Sequence, residues 1–524
     1  MSDIISSRPM ALAYITEVAL RPTTICAVVC AYVVWKVVYA LYFSPLRNVP
    51  GPFLSRISWL PMRLVEIFGT EPEMMRRHYE KYGSTFVMEP TRVAVCDPGD
   101  CTKILSTHAF RKDYYYDRVK FLEPNIFLSS DPDLNHHRRL LIGPALSQRN
   151  LLHMESLLHA AGVGQLLAKW DKAIAAAGPA GRVRVCYFDD FLLMAFDVMT
   201  LLSFGQMRRS LTTGDHKIVN WVRHCVQLMF LQMVAPVICH RPFTWIFGRL
   251  YGQVGQFFAF GMSAIDSRKQ LLASGAEKPK DILQSFIDAE DVDAKTRMTP
   301  SEVRTETILQ LMAGADTSAL TLCWTLHLLL LHPQCLRRVT DEVRAAFAAG
   351  HTITYEEAKE KLPYLEACLY ESLRLRPVTS NLPRRVQTGG AYFHDHFIPG
   401  GYSCVVSLSA ANMNTGAWDQ PHVYDPERFL DKPDNKRKLL TFSTGVRICP
   451  GRHLAWLEVT TGLANVLGAY DIELPEDARF TPSRLDSKGQ PVIMPGYHGI
   501  TSFPRYPDRD CNAIISKRPS TCDK

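Results

Sequence analysis

The sequence is poor in charge and has no dense run of basic residues. Only 21% of its 524 residues are charged, the formal net charge is +7, and the longest basic run is Lys436-Arg437-Lys438. Proteins that bind nucleic acid through its phosphates need a larger basic patch than this. We therefore expect no nucleic-acid partner.

The 14 cysteines are scattered along the chain and form no CxxC pair. The closest pairs are Cys26 with Cys30 and Cys96 with Cys101. Zinc sites and disulfide frameworks have closely and regularly spaced cysteines, so the sequence indicates neither. The pattern favours a reduced domain that faces the cytosol.

Hydrophobic residues make up 47% of the chain, which is enough for a large core. Length alone suggests about three or four domains. The motifs described below must converge on one site, however. We therefore predict one catalytic domain at 54–510, followed by a C-terminal tail at 511–524.

One apolar segment near the N-terminus is long enough to cross a membrane. Residues 23–43 are apolar apart from Lys36, and as a helix they would span about 31 Å. We predict that residues 1–43 carry a membrane anchor and that the proline-rich residues 44–53 form a hinge, because proline ends a helix. A cleaved signal peptide is the alternative, although the apolar run is long for one.

The stretch Phe442-Ser443-Thr444-Gly445-Val446-Arg447-Ile448-Cys449-Pro450-Gly451 places one cysteine directly before a helix-like run at 452–470. In this position the helix dipole and free backbone N–H groups stabilise a thiolate. Gly445 and Gly451 allow the backbone to pass close to a flat cofactor, and Arg447 can neutralise an acidic group on it. The alternative is a buried cysteine that only fills space.

A capping box at Thr299-Pro300-Ser301-Glu302 predicts the start of a helix that continues to about Leu331. The middle of this helix reads Ala313-Gly314-Ala315-Asp316-Thr317-Ser318. Its small residues leave room for a flat macrocycle, and a hydroxyl that bonds back into the helix opens a local kink where dioxygen and water fit. Taken alone, the hexapeptide is equally consistent with ordinary helix packing.

Together these features resemble the cytochrome P450 family. The cysteine loop matches its haem-binding pattern FxxGxRxCxG at all five fixed positions, which are Phe442, Gly445, Arg447, Cys449 and Gly451. The resemblance implies a mainly α fold with small β-sheets, the cytochrome P450 fold, preceded by one N-terminal transmembrane helix. It also implies that Cys449 is the axial ligand of the iron in haem b.

The resemblance assigns roles to the long helix as well. Ala313 and Gly314 would lie against the haem. Thr317 would hold the activated oxygen, and Asp316 would bring protons in.

The haem propionates would be bound by Arg139 and Arg384. Arg139 takes the arginine position of the family's helix pattern WxxxR, but Asn135 stands where the pattern has tryptophan. One expected partner of the haem is therefore replaced. A solvated basic helix face is the alternative for Arg139 and its neighbour Arg138.

Glu371 and Arg374 lie on one face of a helix predicted at 364–376. By itself such a pair is a common surface feature with a small effect on stability. The resemblance implies that Arg428, from Pro426-Glu427-Arg428-Phe429, joins them in a buried cluster. This cluster would brace the cysteine loop and perform no chemistry.

Two further surfaces are predicted. The bulky apolar residues of 222–262 correspond by position to the family's roof over the substrate, and Phe243 to Phe247 would touch lipid. The basic residues on the cysteine side would dock an acidic reductase. They are Arg138, Lys436, Arg437, Lys438 and Arg452.

The activity that the resemblance implies is that of a microsomal, fungal-type monooxygenase. It would insert one oxygen atom of O2 into, or otherwise oxidise, a hydrophobic small molecule such as a secondary metabolite. The sequence shows no flavin- or nicotinamide-binding segment, so electrons would come from NADPH through a separate cytochrome P450 reductase. The catalytic domain would face the cytosol from a single-pass anchor in the endoplasmic-reticulum membrane. An oxygen-independent haem isomerase or dehydratase, and a non-enzymatic haem-binding protein, are the alternatives.

Overall fold

The structure is a computed structural model that describes residues 22–178, 181–291 and 295–518. Residues 1–21 of the predicted N-terminal segment and residues 519–524 of the predicted tail lie outside the described residues. Helices dominate the described part, as the sequence predicts.

The helices are α1 (Pro22–Val38), α2 (Phe53–Ile57), α3 (Leu60–Phe68), α4 (Glu71–Tyr82), α5 (Pro98–Leu105), α6 (Tyr114–Asp117), α7 (Pro132–Ile142), α8 (Gln148–His153), α9 (Glu155–Ala161), α10 (Val163–Ala176), α11 (Tyr187–Phe204), α12 (Ser210–Thr213), α13 (Lys217–Val234), α14 (Phe243–Ile246), α15 (Gly248–Ala273), α16 (Ile282–Asp288), α17 (Pro300–Leu331), α18 (Pro333–Ala346), α19 (Tyr355–Lys361), α20 (Pro363–Leu375), α21 (Leu408–Ala411), α22 (Pro433–Lys438), α23 (Arg452–Ala469) and α24 (Pro507–Asp510).

The strands are β1 (Thr85–Glu89), β2 (Arg92–Val95), β3 (Arg182–Cys186), β4 (Glu290–Asp291), β5 (Thr296–Arg297), β6 (Asn381–Arg385), β7 (Ala391–Phe393), β8 (His396–Ile398), β9 (Ser403–Ser407), β10 (Tyr470–Glu473), β11 (Gly496–His498), β12 (Ser502–Pro504) and β13 (Asn512–Lys517).

The strands form small sheets. The largest has the order β1-β2-β9-β6, in which β2 and β9 are parallel and the other neighbours antiparallel. Its first two strands form a hairpin around Glu89-Pro90-Thr91, with Thr85 opposite Val95. The other sheets are β10-β13-β3, β11-β12, β4-β5 and β7-β8.

The fold does not end at residue 511. Strand β13 lies between β10 and β3 and pairs antiparallel with both. The predicted tail boundary is therefore wrong, because Asn512–Lys517 is the central strand of a sheet. Burial alternates along this strand, with Ala513 and Ile515 buried, but Ile514 between them is also apolar, so the sequence shows no clean alternation.

Helix α17 runs through the centre of the core. It begins at the predicted capping box, in which the Thr299 and Glu302 side chains bond reciprocally to each other's backbone N–H. Nearly all of its residues are buried, and it packs most extensively against α11, with α23 and α20 on other sides. A helix that is apolar all round needs such cover on every side.

The N-terminal apolar segment has no such cover. Helix α1 continues into a π-helical turn, Tyr39–Phe43. The span Pro22–Phe43 is long and apolar enough to cross a membrane, and only 6% of its apolar stretch is buried. Helix α17 is also long and apolar enough, but 89% of its apolar stretch is buried in the core. The Lys36 ammonium group lies 5.7 Å from the ring centroids of Tyr32 and Trp35, which partly compensates its charge.

Candidate active site

A cavity between α17 and the loop that precedes α23 brings most of the predicted site residues together. Those that line it are Arg139, Ala313, Gly314, Thr317, Arg384, Phe442, Arg447, Cys449 and Gly451. Asp316 and Gly445 do not line it. The remaining wall is largely apolar and includes Tyr116, Ile126, Phe127, Met199 and Leu309.

Cys449 is held at the mouth of α23. Its backbone N–H donates to the Phe442 carbonyl oxygen at 2.8 Å, and this bond closes the loop. Burial raises the pKa of the Cys449 thiol, whereas hydrogen bonds from the Gly451 and Arg452 N–H groups and the Arg139 charge lower it. The effect of burial is the largest. The N–H groups at the helix mouth and the Arg139 charge therefore act against burial, and the charge of a coordinated iron would favour the thiolate further.

The two glycines of the cysteine loop serve different purposes. A Cβ atom on Gly451 would meet only the Cys449 sulfur, at 3.9 Å, which agrees with close approach of a cofactor. A Cβ atom on Gly445 would lie 2.5 Å from the Cα atom of Ser106, and the residue has a φ of +59°. Gly445 is therefore required by backbone packing and conformation, and it does not line the cavity.

Gly314 faces a neighbouring side chain on α11. A Cβ atom there would lie 2.6 Å from the terminal methyl group of Met199, which also lines the cavity. The small residue therefore makes room for Met199 as well as leaving the cavity wall flat. Methionine is flexible, so the width of the cavity at this point depends on its rotamer.

Four cationic side chains line one part of the cavity, namely Lys112, Arg139, Arg384 and Arg447. Lys112 and Arg384 are buried, and the other two are partly buried. None of them forms an ion pair within the part of the chain that the structure describes. Burial, followed by the neighbouring Arg384 and Arg139, lowers the pKa of Arg447 to about 10. Burial and the same neighbouring arginines lower the pKa of Lys112 well below its usual value.

This charge arrangement fits haem. The two carboxylates of haem would offset part of the charge of the four cations, and the Cys449 sulfur would provide a ligand for its iron. Lys112 is a residue that the sequence analysis missed, since it belongs to no motif. It reaches the site because its backbone forms an isolated bridge with Arg384.

Asn135, at the position of the family's tryptophan, is fully buried. Its Oδ1 atom accepts a hydrogen bond from Arg139 Nε at 3.1 Å, and its Nδ2 atom donates to the Ile126 carbonyl oxygen at 2.9 Å. Arg139 is therefore oriented by a neighbour and does not belong to a solvated helix face.

Arg138 is buried, with 4% of its surface exposed. It pairs with Glu302 and, at 3.5 Å, with Glu306. It is therefore unavailable to a docking partner, and its assignment to the reductase surface is wrong. The sequence gives no sign that Arg138 is buried, because both of its acidic partners lie more than 160 residues away in the chain.

Thr317 and Asp316 occupy different environments on α17. The Thr317 hydroxyl donates to the Ala313 carbonyl oxygen at 2.8 Å, and the helix continues through this bond without a break. Asp316 is buried beside the cavity, and its Oδ1 atom has no hydrogen-bond partner among the described residues. Burial raises the pKa of Asp316 from 3.8 to about 7, and Arg223 lowers it by a smaller amount. An acid with such a pKa can carry a proton near neutral pH.

Glu458, on α23, is a second buried acid that the sequence analysis missed. The Ser318 hydroxyl donates a hydrogen bond to its Oε2 atom, and its Oε1 atom has no partner among the described residues. Burial raises the pKa of Glu458 to about 8. The sequence did not indicate that Glu458 is buried, because its burial depends on the packing of α23 against α17.

Glu371, Arg374 and Arg428 form the expected buried cluster. The Nε atom of Arg374 lies 2.7 Å from Glu371 Oε2, and the Nε atom of Arg428 lies 3.3 Å from Oε1 of the same acid. Arg374 also donates to the carbonyl oxygens of Asn412, Pro421 and Val423. The cluster therefore ties α20 to the segment that leads to the cysteine loop.

The predicted roof lies above α17, but it does not reach the cavity. It consists of α13, α15 and the turn between them, and no residue of 222–262 is among those that line the cavity. Buried members such as Phe257 belong to the hydrophobic core, whereas Trp245 is 82% exposed and Ile246 60%. The turn therefore presents apolar side chains to the surroundings.

The fold and this cavity are those of a haem-thiolate protein, with Cys449 on one wall and α17 on the other. Residues 46–494 match the family described as Cytochrome P450. The chain therefore belongs to the cytochrome P450 family and binds haem iron. It is an oxidoreductase, a haem-thiolate monooxygenase that acts on a small molecule.

Fungal enzymes are among its relatives. Cytochrome P450 monooxygenases helB1 and helB2 of Aspergillus fumigatus are each 38% identical to the chain, over 92% and 95% of its length and over 84% and 99% of their own. Versicolorin B desaturase stcL of Emericella nidulans is 30% identical over 87% of the chain and 93% of its own length. The crystal structure of the cytochrome P450DA heme domain has a TM-score of 0.74 and covers 90% of this chain and 98% of that one. At 19% identity, this last likeness concerns the fold alone.

Proposed function

We propose that this monooxygenase oxidises a hydrophobic secondary metabolite, with haem b as its cofactor and electrons from NADPH delivered by a separate reductase. The observation that carries the proposal is that Cys449 and Thr317 line the same apolar cavity as four unpaired cations. The relatives support the substrate class, since the stcL protein is named a desaturase of versicolorin B.

Each residue set would hold one part of the cofactor. When bound, the haem iron supplies the activation of dioxygen. The Cys449 sulfur would ligate the iron. Arg139, Arg384 and Arg447, with Lys112, would hold the carboxylates and so fix the orientation of the ring.

The distal residues would control protons. The Thr317 hydroxyl is fixed at the cavity wall by its bond to the Ala313 carbonyl, and it can turn to donate a hydrogen bond into the cavity. Asp316 holds a proton near neutral pH because it is buried, and it lies one residue away on the same helix. Together they would bring protons to the reacting oxygen and exclude bulk water.

The substrate would lie against apolar side chains. Tyr116, Ile126, Phe127 and Leu382 line the same cavity as Thr317 and offer aromatic and aliphatic contacts. A wall of this kind selects a hydrophobic molecule. Hydroxylation and desaturation share the same oxidant, so the pose of the substrate against this wall would decide between them.

The protein would be anchored in the endoplasmic-reticulum membrane by the span Pro22–Phe43, with the catalytic domain in the cytosol. The exposed Trp245 and Ile246 would add a second lipid contact. An acidic reductase would dock on the cysteine side, where Arg437 and Lys438 are exposed on α22 and Arg452 begins α23.

Reconstitution tests the proposal. The full chain, a cytochrome P450 reductase and NADPH would be incubated under isotopically labelled O2 with a panel of fungal polyketides and terpenoids. We expect a product that depends on both NADPH and O2, and in hydroxylations a product that carries one labelled atom. A product formed without NADPH or O2 would instead identify an isomerase, and haem binding without any turnover would favour a non-enzymatic role.

A further inference from the structure

A loop beside the cavity, residues 125–129, is held by the groups that surround the predicted haem carboxylates. Its own shape comes from Asn125, which is fully buried. The Oδ1 atom of Asn125 accepts hydrogen bonds from the N–H groups of Phe127 and Leu128, at 3.0 and 2.8 Å. The loop is therefore a fixed turn, and the carbonyl oxygens of Ile126, Phe127 and Ser129 are available to side chains from other parts of the chain.

Two cavity cations bond directly to this loop. Arg447 Nη1 donates to the Ser129 carbonyl oxygen at 3.1 Å, and Lys112 Nζ donates to the Phe127 carbonyl oxygen. Both cations belong to the unpaired group described above. The loop is therefore part of the support of the carboxylate site.

The peptide groups on either side of Ile126 are held from opposite directions. The Ile126 N–H donates to Glu306 Oε1 on α17 at 3.0 Å, and the Ile126 carbonyl oxygen accepts from Asn135 Nδ2 on α7 at 2.9 Å. Ile126 itself lines the cavity. Two helices therefore fix one point of the cavity wall between them.

Asn135 links this point to a third cation. Its Oδ1 atom accepts from Arg139 Nε at 3.1 Å, so the terminal nitrogen atoms of Arg139 remain free for the cavity. None of the surface of Asn135 is exposed. If its amide is removed, a buried carbonyl oxygen and a partly buried guanidinium N–H both lose their partner.

We propose that Asn135 and Glu306 are positioning residues that clamp Ile126 between them, and that Asn135 thereby fixes both the cavity wall and the direction of Arg139. This inference rests on the proposed placement of the haem carboxylates against the cations. In this role Asn135, at the position of the family's tryptophan, orients Arg139 through a hydrogen bond.

The test uses the haem-loaded full chain and two measurements that need no substrate. The first is amide hydrogen exchange of a peptide that covers residues 125–129. The second is the rate at which haem transfers to an excess of a haem-scavenging protein. The variants are Asn135→Ala, Glu306→Gln and Glu306→Leu, with Asn150→Ala as the control. Asn150 Nδ2 likewise donates to a backbone carbonyl, that of Ala145, but Ala145 does not line the cavity, whereas Ile126 does.

We expect Asn135→Ala to accelerate both loop exchange and haem release by at least about fivefold, since it leaves buried polar groups unpaired. Glu306→Leu should accelerate loop exchange by a similar factor. Glu306→Gln should stay within about twofold of the wild type, because its amide oxygen still accepts from Ile126. The control should change neither quantity.

The inference is overturned if Asn135→Ala stays within about twofold of the wild type in both measurements. It is also overturned if Glu306→Leu and Glu306→Gln behave alike, since the two variants lose the same charge and differ only in the acceptor. The Glu306 pair keeps the test valid if Asn135→Ala does not fold. A wild-type protein without a thiolate spectrum would contradict the proposed function. Amide exchange of residues 125–129 would still show whether Asn135 and Glu306 hold the loop.

Discussion

The hydroxyl oxygen of Thr317 lies 2.8 Å from the Ala313 carbonyl oxygen, one helical turn earlier, and donates its hydrogen to it. Both residues line the cavity that also contains Cys449. The carbonyl therefore holds the hydroxyl at a defined position on the cavity wall until a better acceptor binds.

The variant Thr317→Ala tests the role of this hydroxyl. It should keep haem, the thiolate spectrum and substrate binding, because it removes only a small side chain. We expect NADPH consumption to continue while product per NADPH falls at least about tenfold and hydrogen peroxide accumulates. Thr317→Ser, which keeps a hydroxyl, should retain most of the coupling. Product, peroxide and NADPH are measured on one sample, and unchanged product per NADPH in the alanine variant would remove Thr317 from the mechanism.

Cys449 should be the axial ligand. The reduced carbon-monoxide complex of the wild type is expected to absorb at the long wavelength diagnostic of thiolate ligation. Cys449→His should lose this band, because imidazole replaces the sulfur. Cys239→Ser, a change at a cysteine that does not line the cavity, should keep it. If the histidine variant kept the thiolate band, another cysteine would have to be the ligand.

The raised pKa of Asp316 predicts a pH dependence of stability. Its pKa is about 7 in the folded protein, against an ordinary value of 3.8. The folded protein keeps a proton that the unfolded chain loses from about pH 4 upwards, so this residue makes stability fall as pH rises to about 7 and has no further effect above. Asp316→Asn cannot ionise and lacks this pH dependence. The difference in free energy of unfolding, variant minus wild type, should therefore increase by about 2 kcal/mol from pH 5.5 to pH 7.5.

Denaturant unfolding of haem-loaded protein at both pH values measures this difference. Asp477→Asn is the control. Its exposed carboxylate pairs with Arg184, which lowers the pKa of Asp477, so the group stays ionised throughout this range. An equal difference between wild type and Asp316→Asn at both pH values would show that Asp316 does not titrate in this window.

Breaking the buried cluster should destabilise the whole domain. Arg374→Met removes the guanidinium from Glu371 and leaves three carbonyl oxygens without their donor. The expected loss in the free energy of unfolding is about 3 to 5 kcal/mol, and the yield of haem-loaded protein should fall with it. Arg437→Met is the matched control, because the Arg437–Asp434 pair is exposed. Equal stability of the two variants would contradict a bracing role.

Membrane attachment should have two parts. Deletion of residues 1–43 should release the protein only partly, because Trp245 and Ile246 remain exposed on the roof turn. Adding Trp245→Ser and Ile246→Ser to the deletion should release most of it. Fractions of the protein in membrane pellet and supernatant are compared. Full-length protein in the supernatant without detergent would contradict the anchor itself.

Local sequence was sufficient for the elements whose signals lie within a few residues. The capping box at Thr299 and Glu302 defines the start of α17 because both partners are three residues apart. The cysteine loop, the hairpin β1–β2 and the apolar span near the N-terminus are local in the same sense. In each of these elements, the residues that determine the structure lie within the element itself.

Tertiary structure decided the features that join distant parts of the chain. Only folding shows that Lys112 belongs with the cations of the cavity, that Arg138 is buried against Glu302, and that residues 512–517 form the middle strand of a sheet. The pKa values of Asp316 and Glu458 belong here too, because burial raises them and burial is a property of the packed domain. The sequence by itself predicted the fold and most of the motif residues that line the cavity, Cys449 among them. Which charges are paired, which glycine serves packing, and what supports Arg139 depend on contacts between residues far apart in the chain, for which the sequence carries no local signal.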